Sequence, residues 1–273
     1  MDWEKLASIV LMNLSAVTAS MIFMWLLSLI RKNAGIVDVF WGTGFVLVAW
    51  LTFLNTDGYE ARKIAVSVLA TLWGARLSAY ILLRNWGRGE DYRYKNMREK
   101  SGGSFWFKSL FYIFGLQGIL MMIVSFPLQY TQMFSVPAGI TMLDIAGIAI
   151  WTVGFFFETA ADAQLAVFLK NPENRGRVMR SGVWKYSRHP NYFGEATMWW
   201  GIFIVSLSVP FGLICIISPL LITFLLLRVS GVTLLESSLR EKRPEYAEYI
   251  RTTSSFIPWF PKKDPDCNAG KIK

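Results

Sequence analysis

Apolar residues in this chain come in unbroken runs rather than at amphipathic spacing, and that constrains its fold more than any other feature. The first run, Leu6 to Ile30, is followed by others near residues 36–54, 64–83, 105–126, 139–161, 192–209 and 211–228. Runs of about 18 or more apolar residues read as membrane helices, because a helix satisfies its own backbone polar groups inside hydrocarbon. The pattern predicts an all-α integral membrane protein, a seven-transmembrane-helix bundle. The last two spans share one apolar stretch, and Pro210-Phe211-Gly212 is expected to break it into a tight hairpin. Leu6 to Ile30 is too long for a signal-peptide core and has no cleavage site, so it is taken as the first span.

Charge orients the bundle. The formal net charge is +9, yet the basic residues sit in short connections between spans rather than in a nucleic-acid-binding stripe. Arg31 and Lys32 occupy the first connection, six basic and three acidic residues occupy 84–104, and six basic and two acidic residues occupy 162–188. The alternate connections, 55–63 and 127–138, carry no net charge. A basic excess marks the cytosolic side, which places the N-terminus outside and the C-terminus in the cytosol. No repeat or second domain is visible. The chain reads as a single membrane domain, with 1–130 as substrate-side helices, 139–261 as a cofactor-binding region and 262–273 as a flexible tail.

Two cysteines, Cys215 in an apolar run and Cys267 in the tail, form neither a disulfide framework nor a redox motif. His189 is the only histidine, which excludes a His-rich zinc or iron site. Around it lies the densest local signal in the chain, Gly182-Val-Trp184-Lys-Tyr186-Ser-Arg188-His189-Pro190-Asn191-Tyr192-Phe-Gly194-Glu195. Pro190 suits a first helical turn, which puts Asn191 and Glu195 one turn apart on the same face. Arg175, Arg177, Arg180 and Arg188 precede this turn, and a helix N-terminus behind arginines suits phosphate. A topogenic loop followed by a capped helix explains the arginines but not the polar face.

Three other acidic positions stand out. Glu158 and Asp162 share a face if the fifth span runs that far, and otherwise Asp162 lies in a loop. Asp38 lies near the start of the second span and Arg76 in the third, where a charge costs roughly 2.5–3.5 kcal/mol at mid-bilayer. Such charges either pair with each other or line a cavity.

The motif from Gly182 to Glu195 resembles the C-terminal signature of the steroid 5-alpha-reductase family, in its bacterial and largely uncharacterised branch. A looser form, Arg-His-Pro-x-Tyr-x-Gly, also occurs in isoprenylcysteine and phospholipid methyltransferases. The resemblance runs from about Glu158 to Pro261 through Asn174-Arg-Gly-Arg177, Ser230-Gly-Val-Thr-Leu-Leu-Glu236 and Phe256-Ile-Pro-Trp-Phe-Pro261. In the first half it rests on Ile36-Val-Asp38-Val-Phe-Trp41-Gly and Trp73-Gly-Ala-Arg76-Leu.

This resemblance implies a seven-helix bundle in a bacterial inner membrane that takes NADPH from the cytosolic side. It implies that Asn191 and Glu195 hold the cofactor within the bundle, and that Arg177 and Tyr186 lie near its phosphates and ribose. His189, Asp162, Lys170 and Arg88 complete the implied cofactor set. The implied reaction is reduction of a carbon–carbon double bond conjugated to a carbonyl in a lipophilic, steroid-like substrate. In animal members a glutamate in span two and a tyrosine in span three polarise the carbonyl. Here span two offers only Asp38 and span three offers Tyr80, so these are the expected catalytic residues.

Two other functions compete. A membrane methyltransferase using S-adenosylmethionine needs carboxylates for a sulfonium more than arginines for phosphate. A transporter or structural membrane protein would more often show repeats and helices broken at the midplane. The basic connection before Pro190 favours the reductase. Expected partners are membrane lipid and a lipophilic small molecule, with no nucleic acid; the sequence fixes no oligomeric state.

Overall fold

The computed structural model describes residues 2–229, 232, 236 and 245–262, and among these there is no strand. The helices are α1 (Trp3–Arg31), α2 (Ile36–Leu54), α3 (Glu60–Asn85), a composite α4 (Tyr92–Val124), short α5 (Phe126–Thr131), α6 (Met142–Lys170), α7 (Pro190–Ser206), composite α8 (Gly212–Val229) and α9 (Glu245–Thr252). Six of them, α1 to α4, α6 and α8, are long and apolar enough to cross a membrane. The expected sixth span corresponds to α7, which has 17 residues. The chain is thus a helical integral membrane protein. The tail beyond Lys262, with Cys267, and most of 230–235 lie outside the described residues.

Two compact units make up the chain. The first comprises Met1–Ile145 and Ile202–Ser218. Its α1 begins where the Asp2 carboxylate accepts the Lys5 N–H at 2.9 Å, and it ends at Lys32 in a left-handed turn. Helices α2 and α3 run antiparallel at close range. A Cβ on Gly42 would stand 2.3 Å from the Gly74 carbonyl oxygen, and one on Gly74 would stand 2.4 Å from that of Gly42. With no side chains between them the backbones meet directly, the small-residue contact common in membrane bundles. Asn13 binds α1 to its neighbours, its amide donating to Thr52 at 2.9 Å and to Gln129 at 3.1 Å, all three fully buried.

The connections of this unit gather at its two ends. At one end the Lys5 ammonium meets Asp57 at 3.1 Å and the Tyr59 N–H donates to the Phe134 carbonyl at 2.9 Å. At the other end Glu90, from the basic 84–104 connection, accepts the Ala34 N–H at 2.8 Å. A buried ion pair lies at the first of these ends. Arg62 and Asp144, each 1% exposed, meet at 2.8 Å, and Arg62 also donates to the Gly139 carbonyl at 2.9 Å. Ser208 and Thr141 supply the remaining donors to Asp144, at 3.1 and 2.9 Å. Every strong partner is satisfied, which is the condition for tolerating a buried pair.

The second unit comprises Ala146–Gly201 and Pro219–Lys273. Helix α6 continues past the expected end of span five to Lys170, because no breaker intervenes until Asn171-Pro172, where the Asn171 side chain accepts the Glu173 N–H. This resolves the two readings of Asp162, which is helical and shares a face with Glu158. The expected hairpin is present. Phe211 adopts a left-handed φ of 56°, and Trp200 Nε1 donates to Thr223 Oγ1 at 3.3 Å, so residues on either side of the break lie side by side.

Candidate active site

The site begins at the N-terminus of α7. Pro190 opens that helix, so its missing N–H costs nothing, and Asn191 and Glu195 follow on one face. Glycines bring this face against α6. A Cβ on Gly194 would lie 2.5 Å from the Glu158 nitrogen, and one on Gly154 would lie 2.5 Å from the Gly194 carbonyl oxygen. The close approach sets Asn191 Nδ2 3.3 Å from Asp162 Oδ1, while Glu158 and Asp162 are 3% and 5% exposed. Three carboxylates and one amide thus occupy adjacent faces of two helices. Among the described residues no group of three or more His, Cys, Asp or Glu side chains is arranged to hold a metal ion.

Two arginines of the loop before α7 hold the C-terminal segment. Arg188 is buried and donates to Glu236 at 2.8 Å and to the Ile250 and Thr253 carbonyls at 3.0 and 2.5 Å. Arg180 meets Glu248 at 2.9 Å and the Glu245 carbonyl. Ser187 donates to the Phe256 carbonyl at 2.8 Å, the Arg188 N–H donates to the Ser254 carbonyl at 2.8 Å, and the Tyr249 hydroxyl donates to the Trp184 carbonyl. These contacts clamp residues 245–262 onto the loop as a C-terminal strap. Buried His189 stacks on Tyr192, with ring centroids 5.6 Å apart, and its Nε2 lies 3.1 Å from Glu236. Desolvation works to raise the Glu236 carboxyl, but hydrogen bonds from His189 and Arg188 outweigh it and hold the group below the usual carboxylate range. Burial, with the Glu236 charge adding to it, pushes the strap hydroxyl of Tyr246 up to about 12.

The other expected cofactor residues divide. Lys170 and Arg177 are exposed at the end of α6 and in the turn after it, and Tyr186 is 37% exposed with its carbonyl accepting the Trp259 N–H at 2.9 Å. Arg88 is exposed in the connection after α3 and belongs to the first unit.

Asp38 also belongs to the first unit, in the first turn of α2. Its Oδ1 accepts the Tyr94 hydroxyl at 2.7 Å and lies 3.4 Å from Gln117 Nε2, which itself sits 3.2 Å from the Tyr94 oxygen. Arg93 completes the set at 3.2 Å. Arg93 of α4 is thus an ion-pair partner of Asp38. Tyr80 is half-buried in α3, its ring 5.7 Å from the Arg84 guanidinium. Sequence reasoning missed Tyr94, Gln117 and Arg93. One signal was available: Tyr94 is an aromatic residue inside a strongly charged helical stretch, where a phenol needs a buried partner to be worth keeping.

A family model described as "Protein of unknown function (DUF1295)" matches residues 24–253. A curated relative, "Uncharacterized protein C594.04c" of Schizosaccharomyces pombe, is 26% identical over 267 residues, covering 86% of this chain and 75% of its own length. No solved structure matches the chain.

Proposed function

This chain belongs to the DUF1295 family, and from that premise we propose that it is a membrane-embedded reductase using NADPH to saturate an enone in a lipophilic, steroid-like substrate. The observation that carries the reading is the Asn191–Asp162 contact at 3.3 Å. Two residues implied by resemblance in separate stretches of sequence share one hydrogen bond at a helix N-terminus. The donor set suits the cofactor. Carboxylates accept from ribose hydroxyls and a carboxamide N–H, and the Asn191 amide both donates and accepts. Exposed Lys170 and Arg177 suit phosphates, whereas Arg180 and Arg188 are committed to the strap.

Bound there, NADPH supplies the hydride. The protein's own residues bind, orient and supply protons. Negative charge grows on the substrate carbonyl as the β carbon is reduced, and a fixed hydroxyl donor stabilises it. Asp38 and Tyr80 are the expected acid groups. Tyr94 joins them with Asp38 protonated: the acid then donates to the Tyr94 oxygen, Gln117 stays alongside, and the phenol proton is free for the substrate carbonyl. In this reading α7 is the seventh span, at the short end of the length that crosses hydrocarbon. The N-terminus is outside and residues 171–189 face the cytosol.

The test is thermal unfolding of the detergent-purified protein with NADPH or S-adenosylmethionine. A ligand at 100 times its dissociation constant stabilises by about 2.7 kcal/mol. Stabilisation by NADPH that is lost in Asn191→Ala and Glu195→Gln supports the reductase. A second reading has one observation in its favour: Glu158, Asp162 and Glu195 crowd carboxylates onto adjacent helix faces, which suits the sulfonium of S-adenosylmethionine. Stabilisation by that compound alone would replace the reductase with a methyltransferase.

A further inference from the structure

Among the described residues the strap presents an exposed apolar face. Ile257, Trp259 and Phe260 are 63%, 69% and 76% exposed, and two lysines, Lys185 and Lys262, are exposed in the same segments. This exposure is fixed rather than loose. Main-chain hydrogen bonds hold the segment on both sides, from Trp259 N–H to the Tyr186 carbonyl at 2.9 Å and from Lys262 N–H to the Thr252 carbonyl at 2.8 Å. Phe256, by contrast, turns inward, its ring centroid 6.0 Å from that of Phe193. The segment therefore has an inner face that docks and an outer face with three large apolar side chains.

The level of this face follows from the helices of its own unit. Helix α6 has 29 residues, about 43 Å at 1.5 Å per residue, whereas the hydrocarbon core is about 30 Å thick. We assign the excess length to its C-terminal turns, where Asp162, Gln164 and Lys170 follow Glu158 and hydrocarbon would be costly. Trp184 Nε1 donates to the Ala161 carbonyl at 3.1 Å, which pins the loop carrying the strap to that level of α6. The strap thus lies at the boundary between hydrocarbon and water. Indole and phenyl rings favour this layer, and lysines reach from it toward headgroups.

We infer that the outer face of the C-terminal strap, Ile257, Trp259 and Phe260 flanked by Lys185 and Lys262, is an interfacial anchor that seats on the anionic headgroups of the surrounding bilayer. Charge selects the lipid: the face carries two ammonium groups, and the connections on this side are basic throughout. Its consequence is mechanical. The same segment supplies the carbonyls that hold Ser187 and Arg188, so lipid contact steadies the loop leading into Asn191.

A spin label at Ile257→Cys tests this in full-length protein carrying Cys215→Ser and Cys267→Ser, in nanodiscs of phosphatidylglycerol or of phosphatidylcholine. A label at Glu173→Cys, exposed in the turn after α6, serves as the aqueous reference. We expect the label at 257 to collide more with oxygen and several-fold less with a water-soluble nickel complex than the reference does. The contrast should be larger in phosphatidylglycerol and should shrink in Lys185→Gln/Lys262→Gln. Equal nickel access at 257 and 173 overturns the anchor, and dipolar coupling between labels on separate chains replaces lipid with a second copy. Indifference to lipid charge overturns the anionic assignment. Should the labelled protein not fold, quenching by brominated lipid that falls in Trp259→Phe relative to the cysteine-intact protein reads the same contact.

Discussion

Asp38 accepts the Tyr94 hydroxyl at 2.7 Å and meets the Arg93 guanidinium at 3.2 Å. The sequence leaves it two readings, a pair with Arg76 or a place lining a cavity, and marks neither Tyr94 nor Arg93 beside it. Asp38 and Tyr94 are 56 residues apart, and no periodicity links α2 to the charged start of α4. Two predictions belong here. Tyr94→Phe should lower turnover on an enone by about 10²-fold, the order seen when one donor to a developing oxyanion is removed. Tyr80→Phe should cost less, and NADPH affinity should hold in both. The reverse order in steady-state rates would return the donor role to Tyr80. The second concerns Glu236, whose carboxyl is held below its ordinary 4.5. A depressed folded-state value contributes stability that is fully present above about 4.5 and is lost as pH falls through the lower folded value. A pH series of melting temperatures should show this acid loss, and Glu236→Gln should be less stable at neutral pH with a shallower acid decline.

At the scale of elements, the helices were the legible part. Apolar runs located α1 to α4, α6 and α8, and the Pro210-Phe211-Gly212 break gave the hairpin. Hydropathy sees only what faces lipid, so it ended the fifth span near residue 161, whereas backbone hydrogen bonding carries α6 on to Lys170. The strap was illegible for a related reason. It is held largely by main-chain carbonyls, which leave no residue pattern to read. Of the arginines before Pro190, Arg180 and Arg188 reach carboxylates and carbonyls far along the chain, and the sequence displays their charge without those partners. The approach of α6 and α7 makes the prediction for this scale. Gly194→Val would drive a branched side chain into the Glu158 backbone, an overpacking that costs about 1–3 kcal/mol or more. The variant should melt lower and lose NADPH stabilisation, whereas Gly103→Val, where a Cβ meets nothing within 4 Å, should do neither.

For the whole molecule, the distribution of charge over the connections is what sets its place in the bilayer. Positive-inside topology predicts that Asp57→Cys, with Cys215 and Cys267 replaced, reacts with an impermeant thiol reagent on intact cells, and that Arg177→Cys reacts only after permeabilisation. The opposite pattern would invert the bundle and place the Asn191 site outside. Stability at this scale leans on Arg62 and Asp144. Removing one partner, as in Asp144→Asn, strands a buried guanidinium and should cost about 3–5 kcal/mol, seen as a large drop in melting temperature.

That ion pair also imposes a schedule. Arg62 leaves the ribosome 82 residues ahead of Asp144, an interval of about 4–16 s at roughly 5–20 residues per second. Throughout that wait Arg62 lacks the carboxylate that seals it in the fold, and the leading end of α3 is expected to rest among headgroups or water. Only when the start of α6 emerges can the guanidinium be drawn in and sealed. The burial of Arg62 then waits on an acid that has not yet been synthesised, and one salt bridge orders that step of assembly.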